Sequence, residues 1–315
     1  MGAFSQLNDD DDDDDHGPVV EEIEKLIKVY KDGHVERLPA VADVPCTWTS
    51  QPDVVCRDAV VAAGLRARLY LPKLQGQKQL LLPLLVYFHG GGFCVGSANC
   101  AVLSASYRLA PEHRLPAAFD DGLAVLRWVR QQQAESHRAP DELSWWRSRC
   151  DFARVFIAGD SAGATIAYHV AAMKPAAGVK GMILIQPFFG GAARTWSEKN
   201  LPQSSRSALS LATSDCYWRL ALPVGADRDH PWCNPLAKKL EEESRLPAAL
   251  VCVSELDILS DRNMEFCDAM RRAGKRVEQV TFAGVGHAFQ VLHNYQMSQA
   301  RTIEMLSHIR AFINR

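Results

Sequence analysis

The stretch Val155-Phe156-Ile157-Ala158-Gly159-Asp160-Ser161-Ala162-Gly163 decides the fold that we predict for this chain. An apolar run leads into the turn, and a small-residue helical pattern, Ala164 to Met173, leads out of it. A serine in such a turn between strand and helix forms the G-x-S-x-G nucleophile elbow. There Ser161 takes a strained backbone conformation, while Gly159 and Gly163 let strand and helix approach closely. We therefore predict that the Ser161 hydroxyl projects from the edge of a sheet.

The rest of the chain alternates between apolar runs and helical patterns. We predict strands at Leu80–Phe88, Ala101–Tyr107, Val179–Gln186, Ala248–Ser254 and Val277–Phe282, and helices at Ala117–Gln133, Asn263–Ala273 and Ser298–Ile313. Val54 to Leu71 alternates with period two, which predicts two antiparallel strands at a sheet edge. Strands that alternate with helices predict an α/β fold whose mostly parallel central sheet carries helices on both faces.

Three further segments complete the predicted organisation. Lys31–His34 has Asp-Gly at its centre and predicts a hairpin turn, whereas residues 140–149 read as a polar loop. Residues 195–229 are irregular and rich in aromatic side chains, which suggests a cap over a site. We predict a disordered acidic tail over residues 1–18, which includes seven consecutive aspartates, and one domain over residues 19–315. The N-terminal segment and about residues 195–230 would form the small cap.

Composition excludes several classes of function. The chain has 315 residues, 47% of them hydrophobic, and a net charge of −2, which gives no reason to expect nucleic-acid binding. Its nine cysteines include no C-x-x-C pair, so we expect reduced thiols and no metal site. No apolar run approaches membrane-spanning length, and no signal peptide is evident. We expect a cytoplasmic protein, with the nucleus as a further location.

Two more side chains can complete a nucleophilic site with Ser161. A serine hydroxyl needs a base, usually histidine, whose tautomer is held by a carboxylate. Asp257 follows one predicted strand and His287 follows the last one in a glycine-rich turn, so the order is serine, acid, histidine. Asp261 is the alternative acid. Glu255 points away if Asp257 points into the site, which leaves it a supporting role.

A glycine-rich loop follows a predicted central strand at His89-Gly90-Gly91-Gly92-Phe93. Bare backbone amides can approach a ligand closely, and such a loop supplies part of an oxyanion hole in lipases and esterases. We expect His89 to order the loop and Asp160 to brace the elbow by hydrogen bonds.

These motifs together resemble those of the plant carboxylesterases, in the hormone-sensitive-lipase-like (GDXG) branch of the α/β-hydrolases. The matching stretches are His89–Phe93, Ser106–Glu112, Gly159–Gly163, Leu256–Asp257 and Gly286–Phe289, and the resemblance extends from Val19 onward. It implies an α/β-hydrolase fold in which Ser161 is the nucleophile, His287 the base and Asp257 the acid. It also implies that the amides of Gly91, Gly92 and Ala162 form the oxyanion hole, that the substrates are small-molecule esters with short acyl groups, and that no cofactor is needed.

Two related groups offer alternative functions. The gibberellin receptors are similar in fold but lack the histidine, so His287 argues against a purely hormone-binding role. The isoflavanone dehydratases are also similar and use the same site to eliminate water, an alternative that the residues leave open.

One departure from the family lies between Ser97 and Ala101. Members usually have a helix there, but only three residues separate the two positions in this chain. Parallel neighbouring strands need a crossover of about a dozen residues or more, and the glycine loop already uses about half of that length. We predict that one crossover helix is missing, which would bare an apolar face of the sheet and loosen the glycine loop.

Overall fold

The computed structural model describes most of the chain and divides it into two compact units, Met1–Ala42 and Asp43–Arg315. The described residues are 16–24, 26–37, 46, 53–73, 81–90, 101–136, 141–173, 178–202, 205–238, 240, 246–292 and 295–315. The run of aspartates lies outside them, so the predicted tail stays a prediction. So does the assignment of the N-terminal segment to a cap.

The first unit contains a small antiparallel sheet. Its strands are β1 (Val19–Ile23), β2 (Ile27–Tyr30) and β3 (Val35–Arg37), in that spatial order. The predicted hairpin joins β2 to β3, where Tyr30 N donates to His34 O at 2.9 Å and Gly33 has φ +92°. A positive φ suits glycine, which explains the Asp-Gly pair at this turn.

The second unit contains the larger sheet and the helices. Its described strands are β4 (Val54–Ala62), β5 (Leu65–Pro72), β6 (Leu82–Phe88), β7 (Ala101–Ala105), β8 (Cys150–Asp160), β9 (Val179–Ile185), β10 (Ala248–Ser254) and β11 (Val277–Phe282). Its described helices are α1 (Ala117–Glu135), α2 (Ser144–Arg147), α3 (Ala162–Ala172), α4 (Trp196–Asn200), α5 (Leu211–Ala221), α6 (Ser260–Arg272), α7 (Phe289–Leu292) and α8 (Gln296–Ile313).

The strands form one eight-stranded sheet in the order β11-β10-β9-β8-β6-β7-β5-β4. Neighbours from β11 to β7 run parallel, while β5 pairs antiparallel with both β4 and β7, as predicted for this edge. Apolar side chains pack on both faces. Residues of α1, α3 and α6 join the larger cluster, and residues of α8 join the cluster on the other face. The predicted α/β architecture is therefore confirmed.

Two local predictions are wrong. Residues 140–149 are not all loop, because α2 forms there and places Trp146 in the core with 0% of its surface exposed. The segment 195–229 is not irregular, because it contains α4 and α5. Thr195 caps α4 in a capping box with Glu198, and Ser210 caps α5. Both caps satisfy backbone amides in the first turns of these short helices.

The crossover between β6 and β7 includes residues 91–100, which lie outside the described part of the chain. The prediction of a missing helix therefore stays a prediction, as do the positions of Gly91 and Gly92. A missing helix would leave apolar side chains on one face of the sheet exposed, but two apolar side chains of the neighbouring strands are buried. Leu85 of β6 and Val102 of β7 belong to the cluster that includes α8, and they are 8% and 5% exposed.

Candidate active site

Ser161 lies in a sharp turn between β8 and α3, as predicted. Its backbone has φ +51° and ψ −119°, a conformation that a residue with a Cβ adopts only under strain. The flanking glycines are sterically required. A Cβ on Gly159 would overlap the peptide of Gly163, and a Cβ on Gly163 would overlap the carbonyl of Phe88. The close approach of strand and helix thus holds Ser161 at the carboxyl edge of the sheet.

The structure brings Ser161, His287 and Asp257 together. Nδ1 of His287 lies 2.7 Å from Oδ2 of Asp257, and Nε2 lies 2.8 Å from Oγ of Ser161. A carboxylate only accepts, so Nδ1 carries the imidazole proton and Nε2 accepts from the serine hydroxyl. The acid is fixed by a second bond, because Oδ1 of Asp257 accepts from Leu259 N at 3.0 Å.

Burial and charge act against each other on His287. The side chains of His287 and Asp257 are 5% and 1% exposed. Burial by itself lowers the pKa of the imidazole, but the charge and hydrogen bond of Asp257, with a smaller effect of Asp160, outweigh it and raise the pKa. The imidazolium that forms when His287 takes a proton is therefore stabilised in place.

The other candidate acids bind elsewhere. Oδ2 of Asp261 accepts from Ser197 N at 2.7 Å, at the first turn of α4. Oε2 of Glu255 accepts from Gly284 N at 2.7 Å, in the turn that precedes His287. Asp257 is thus the carboxylate that contacts the histidine, while Glu255 has the supporting position expected of it.

Asp160 braces the glycine loop against the elbow. Its Oδ1 accepts from Gly90 N at 2.7 Å and from the hydroxyl of Tyr87 at 2.6 Å. Burial raises the pKa of this carboxyl, and the two hydrogen bonds act in the opposite direction. The ionised form of Asp160 is therefore favoured by the hydrogen bonds from Tyr87 and Gly90. The bond from Gly90 also links the elbow to the start of the glycine loop.

His89 and Tyr107 contact each other at the start of the same loop. Their rings stack with centroids 4.5 Å apart, and the hydroxyl of Tyr107 donates to His89 O at 2.7 Å. Sequence reasoning anticipated the role of His89 but missed Tyr107, although Tyr107 stands in one of the quoted motifs. Burial raises the pKa of its phenol, so the hydroxyl keeps the proton that it donates.

Helix α3 begins directly after Ser161. Ala162 is the first residue of α3, and the first amides of a helix have no partner within it. These amides and the helix dipole favour a negative charge at this point. The role of the Ala162 amide as an oxyanion donor stays a prediction.

A cluster of mostly buried aromatic side chains packs next to Ser161. Phe188 N donates to Ser161 O at 3.1 Å, and the Phe188 ring stacks on Trp218 of α5 with centroids 4.6 Å apart. Tyr217 meets Phe188 edge-on at 6.2 Å, and Ala162 packs against the same cluster. Segment 195–229 thus contributes aromatic side chains beside the reactive group.

Other kinds of site find no support in the described residues. No group of three or more His, Cys, Asp or Glu side chains there could hold a metal ion. Over the same ranges, no helix combines the length and apolar character needed to cross a bilayer. The seven described cysteines are free thiols.

Comparison with known proteins agrees with the fold described above. A family model described as alpha/beta hydrolase fold matches residues 85–291. The Arabidopsis thaliana protein named probable carboxylesterase 6 is 44% identical, covering 95% of this chain and 93% of its own. The solved esterase of Pyrobaculum calidifontis has a TM-score of 0.65 and 28% identity, covering 82% of this chain and 84% of its own. The chain therefore belongs to the α/β-hydrolase fold family.

The comparisons bear on two open questions, the hormone-binding alternative and a segment missing from this chain. A gibberellin receptor of Arabidopsis thaliana is 36% identical over 256 residues, covering 74% of this chain and 69% of the receptor. The alignment with probable carboxylesterase 6 spans 326 positions, more than the 315 residues of this chain, so part of that relative has no counterpart here.

Proposed function

We propose that this chain is a carboxylesterase in which Ser161, His287 and Asp257 act as a catalytic triad. The carrying observation is the continuous hydrogen-bond relay from Asp257 through His287 to Ser161, with both links between 2.7 and 2.8 Å. Nucleophile and base in hydrogen-bond contact, with a third group orienting the base, are what covalent catalysis by a serine requires.

In the first half-reaction, Oγ of Ser161 attacks the ester carbonyl carbon while Nε2 of His287 takes the hydroxyl proton. The imidazolium is stabilised by Asp257, and the negative oxygen of the tetrahedral intermediate binds the Ala162 amide. By the family resemblance, the amides of Gly91 and Gly92 bind the same oxygen. Collapse of the intermediate breaks the bond to the alcohol oxygen, which leaves with the proton from Nε2.

The second half-reaction returns the serine. His287 takes a proton from a water molecule, which attacks the carbonyl carbon of the acyl-enzyme. Collapse then breaks the bond to Oγ of Ser161, which regains the proton from Nε2, and the carboxylic acid is released. These steps consume one ester and one water and need no cofactor.

The aromatic cluster next to the serine supports small, uncharged esters as substrates. Its partly exposed member, Tyr217, meets the buried Phe188 edge-on, and Ala162, the proposed oxyanion donor, packs against the same cluster. A charged group placed against such a surface would lose its hydration without gaining a partner. The names of the Arabidopsis relative and of the Pyrobaculum calidifontis esterase support esters as substrates.

A hormone-binding role is the weaker candidate, supported by the gibberellin receptor among the relatives. A site that only binds its ligand has no need of a relay that activates a nucleophile. The complete relay, with His287 in contact with both partners, therefore favours hydrolysis.

Hydrolysis of nitrophenyl acetate by the full-length chain tests the proposal. We expect Ser161→Ala to reduce kcat by at least about 10³-fold, whereas Ser136→Ala, which changes an exposed serine at the end of α1, leaves it unchanged. A fluorophosphonate probe should modify Ser161 alone. A folded wild-type chain that hydrolyses no neutral ester would overturn the proposal. Tight hormone binding would then indicate a receptor, and elimination of water from a hydroxylated non-ester would indicate a dehydratase.

A further inference from the structure

Gln186 occupies an unusual position immediately after β9. Its backbone has φ +47°, in the left-handed region that rarely accepts a side chain of this size, and the residue is 1% exposed. Such a conformation persists only where the surrounding contacts impose it, and it is concentrated at functional sites.

The side-chain amide of Gln186 bridges two parts of the active site. Nε2 donates to Oγ of Ser254 at 2.7 Å, and Oε1 accepts from Ala288 N at 2.7 Å. The orientation of the amide is fixed, because a backbone N–H can only donate and so must face the oxygen. Ser254 ends β10, three residues before Asp257, and Ala288 directly follows His287.

The main chain around His287 depends on such contacts. Ala288 itself has φ +59°, which an alanine does not adopt without outside support. The backbone of His287, the preceding residue, is held by residues 207 and 208. The N–H of His287 donates to Oγ of Ser207, and the carbonyl of His287 accepts from Ala208 N, both at 3.1 Å. Gln186 supplies the link between this loop and the strand that leads to the acid.

We propose that Gln186 is a positioning residue for His287, which holds the imidazole in register with Asp257 and Ser161. The inference rests on the proposed esterase function. Without the bond to Ala288, the left-handed turn can relax and carry the imidazole away from the serine. Since a misplacement of about 1 Å can cost about 10²-fold in rate, the effect is expected on kcat and not on substrate binding.

Three variants of the full-length chain test this role with nitrophenyl acetate. Gln186→Met keeps the size of the side chain and removes both hydrogen bonds, whereas Gln186→Glu keeps an acceptor for Ala288 N. Gln132→Met is the matched control. Gln132 is another buried glutamine, bonded to Arg147 and Glu135 instead of the active site. Unfolding temperatures are measured for all three.

We expect Gln186→Met to lower kcat by about 10²-fold with KM within about threefold of wild type. Gln186→Glu should recover at least about tenfold of that loss, and Gln132→Met should lower the unfolding temperature without changing kcat. The inference is overturned if Gln186→Met stays within about threefold of the wild-type kcat, or if the Met and Glu variants are equally slow.

Two further provisions keep the test decisive. If Gln186→Met yields no soluble protein, Ser254→Ala removes the bond at the other end of the amide. It should lower kcat by about three- to tenfold, and an unchanged kcat would overturn the inference. A wild-type chain without activity would instead count against the proposed esterase function, which separates the two failures.

Discussion

Replacing Asp257 by asparagine probes the acid end of the relay, where the structure dictates a specific outcome. Oδ1 of Asp257 accepts from Leu259 N at 3.0 Å, and Oδ2 accepts from Nδ1 of His287 at 2.7 Å. Asparagine has the same shape but only one acceptor oxygen. If that oxygen stays with Leu259 N, the NH₂ group faces Nδ1. The imidazole must then accept at Nδ1 and carry its proton on Nε2, facing Ser161.

The wrong tautomer cannot take the serine proton, which fixes the expected size of the effect. Loss of the correct tautomer costs on the order of 10⁴ in kcat in a serine-protease triad. That factor corresponds to about 5.4 kcal/mol of transition-state stabilisation, at 1.36 kcal/mol for each tenfold change. A hydrogen bond to a charged group contributes only about 1.5–3 kcal/mol to folding. We therefore expect the variant to fold and to be nearly inactive.

The assay is kcat for nitrophenyl acetate, measured alongside a urea melt. Asp261→Asn is the matched control, because this carboxylate binds Ser197 N and not His287. It should keep kcat within about threefold of wild type, since its loss touches none of the relay atoms. The reasoning is refuted if Asp257→Asn keeps more than about a tenth of the wild-type kcat while folded, or if both variants lose the same activity.

Two other predictions concern pH and the core. Burial alone would lower the pKa of His287, but the charge and hydrogen bond of Asp257 raise it above 6.5. Because Nε2 accepts a proton only when the imidazole is neutral, kcat/KM should rise with pH through this raised pKa. The folded state binds that proton more tightly than the unfolded chain. The free energy of unfolding from urea melts should therefore include a stabilising contribution that is present below about pH 6.5 and is lost as pH rises through the folded pKa. Asp257→Asn should reduce this contribution. Trp146→Ala should lower the free energy of unfolding by about 3–5 kcal/mol, because the side chain is fully buried against Trp128 and Phe152, with kcat of the folded fraction unchanged. A urea melt showing a loss below about 1 kcal/mol would contradict this.

The parts of the site that sequence could predict are those whose requirements are local. Gly159, Ser161 and Gly163 are adjacent along the chain, and their spacing alone restricts the turn that they can form. Asp257 and His287 follow apolar runs, so the rule that parallel strands end at one edge of a sheet places them near the serine. Each of these inferences needs only neighbouring residues and a general property of α/β sheets.

The parts that could not be predicted depend on distant partners. Gln186 bonds to Ala288, 102 positions away, and no residue beside it indicates a left-handed backbone. Asp160 was expected to brace the elbow, but its partner Gly90 lies 70 positions earlier. The short helices α4 and α5 are a different case. Their caps at Thr195 and Ser210 were readable in the sequence, but α4 has only 5 residues and α5 only 11, so each offers a short pattern.

The sheet register explains why these distant partners meet. In β6, Phe88 pairs with Gly159, so the next residues, His89 and Gly90, must come beside Asp160. In β9, Ile185 pairs with Asp160, so Gln186 must come beside Ser161. Gly90, which Asp160 holds, and Gln186, which supports the histidine loop, thus lie within two residues of the last paired positions of β6 and β9, the two neighbours of β8. Because a slip of one residue would turn each of these side chains to the opposite face, the same register that buries the core also assembles the site.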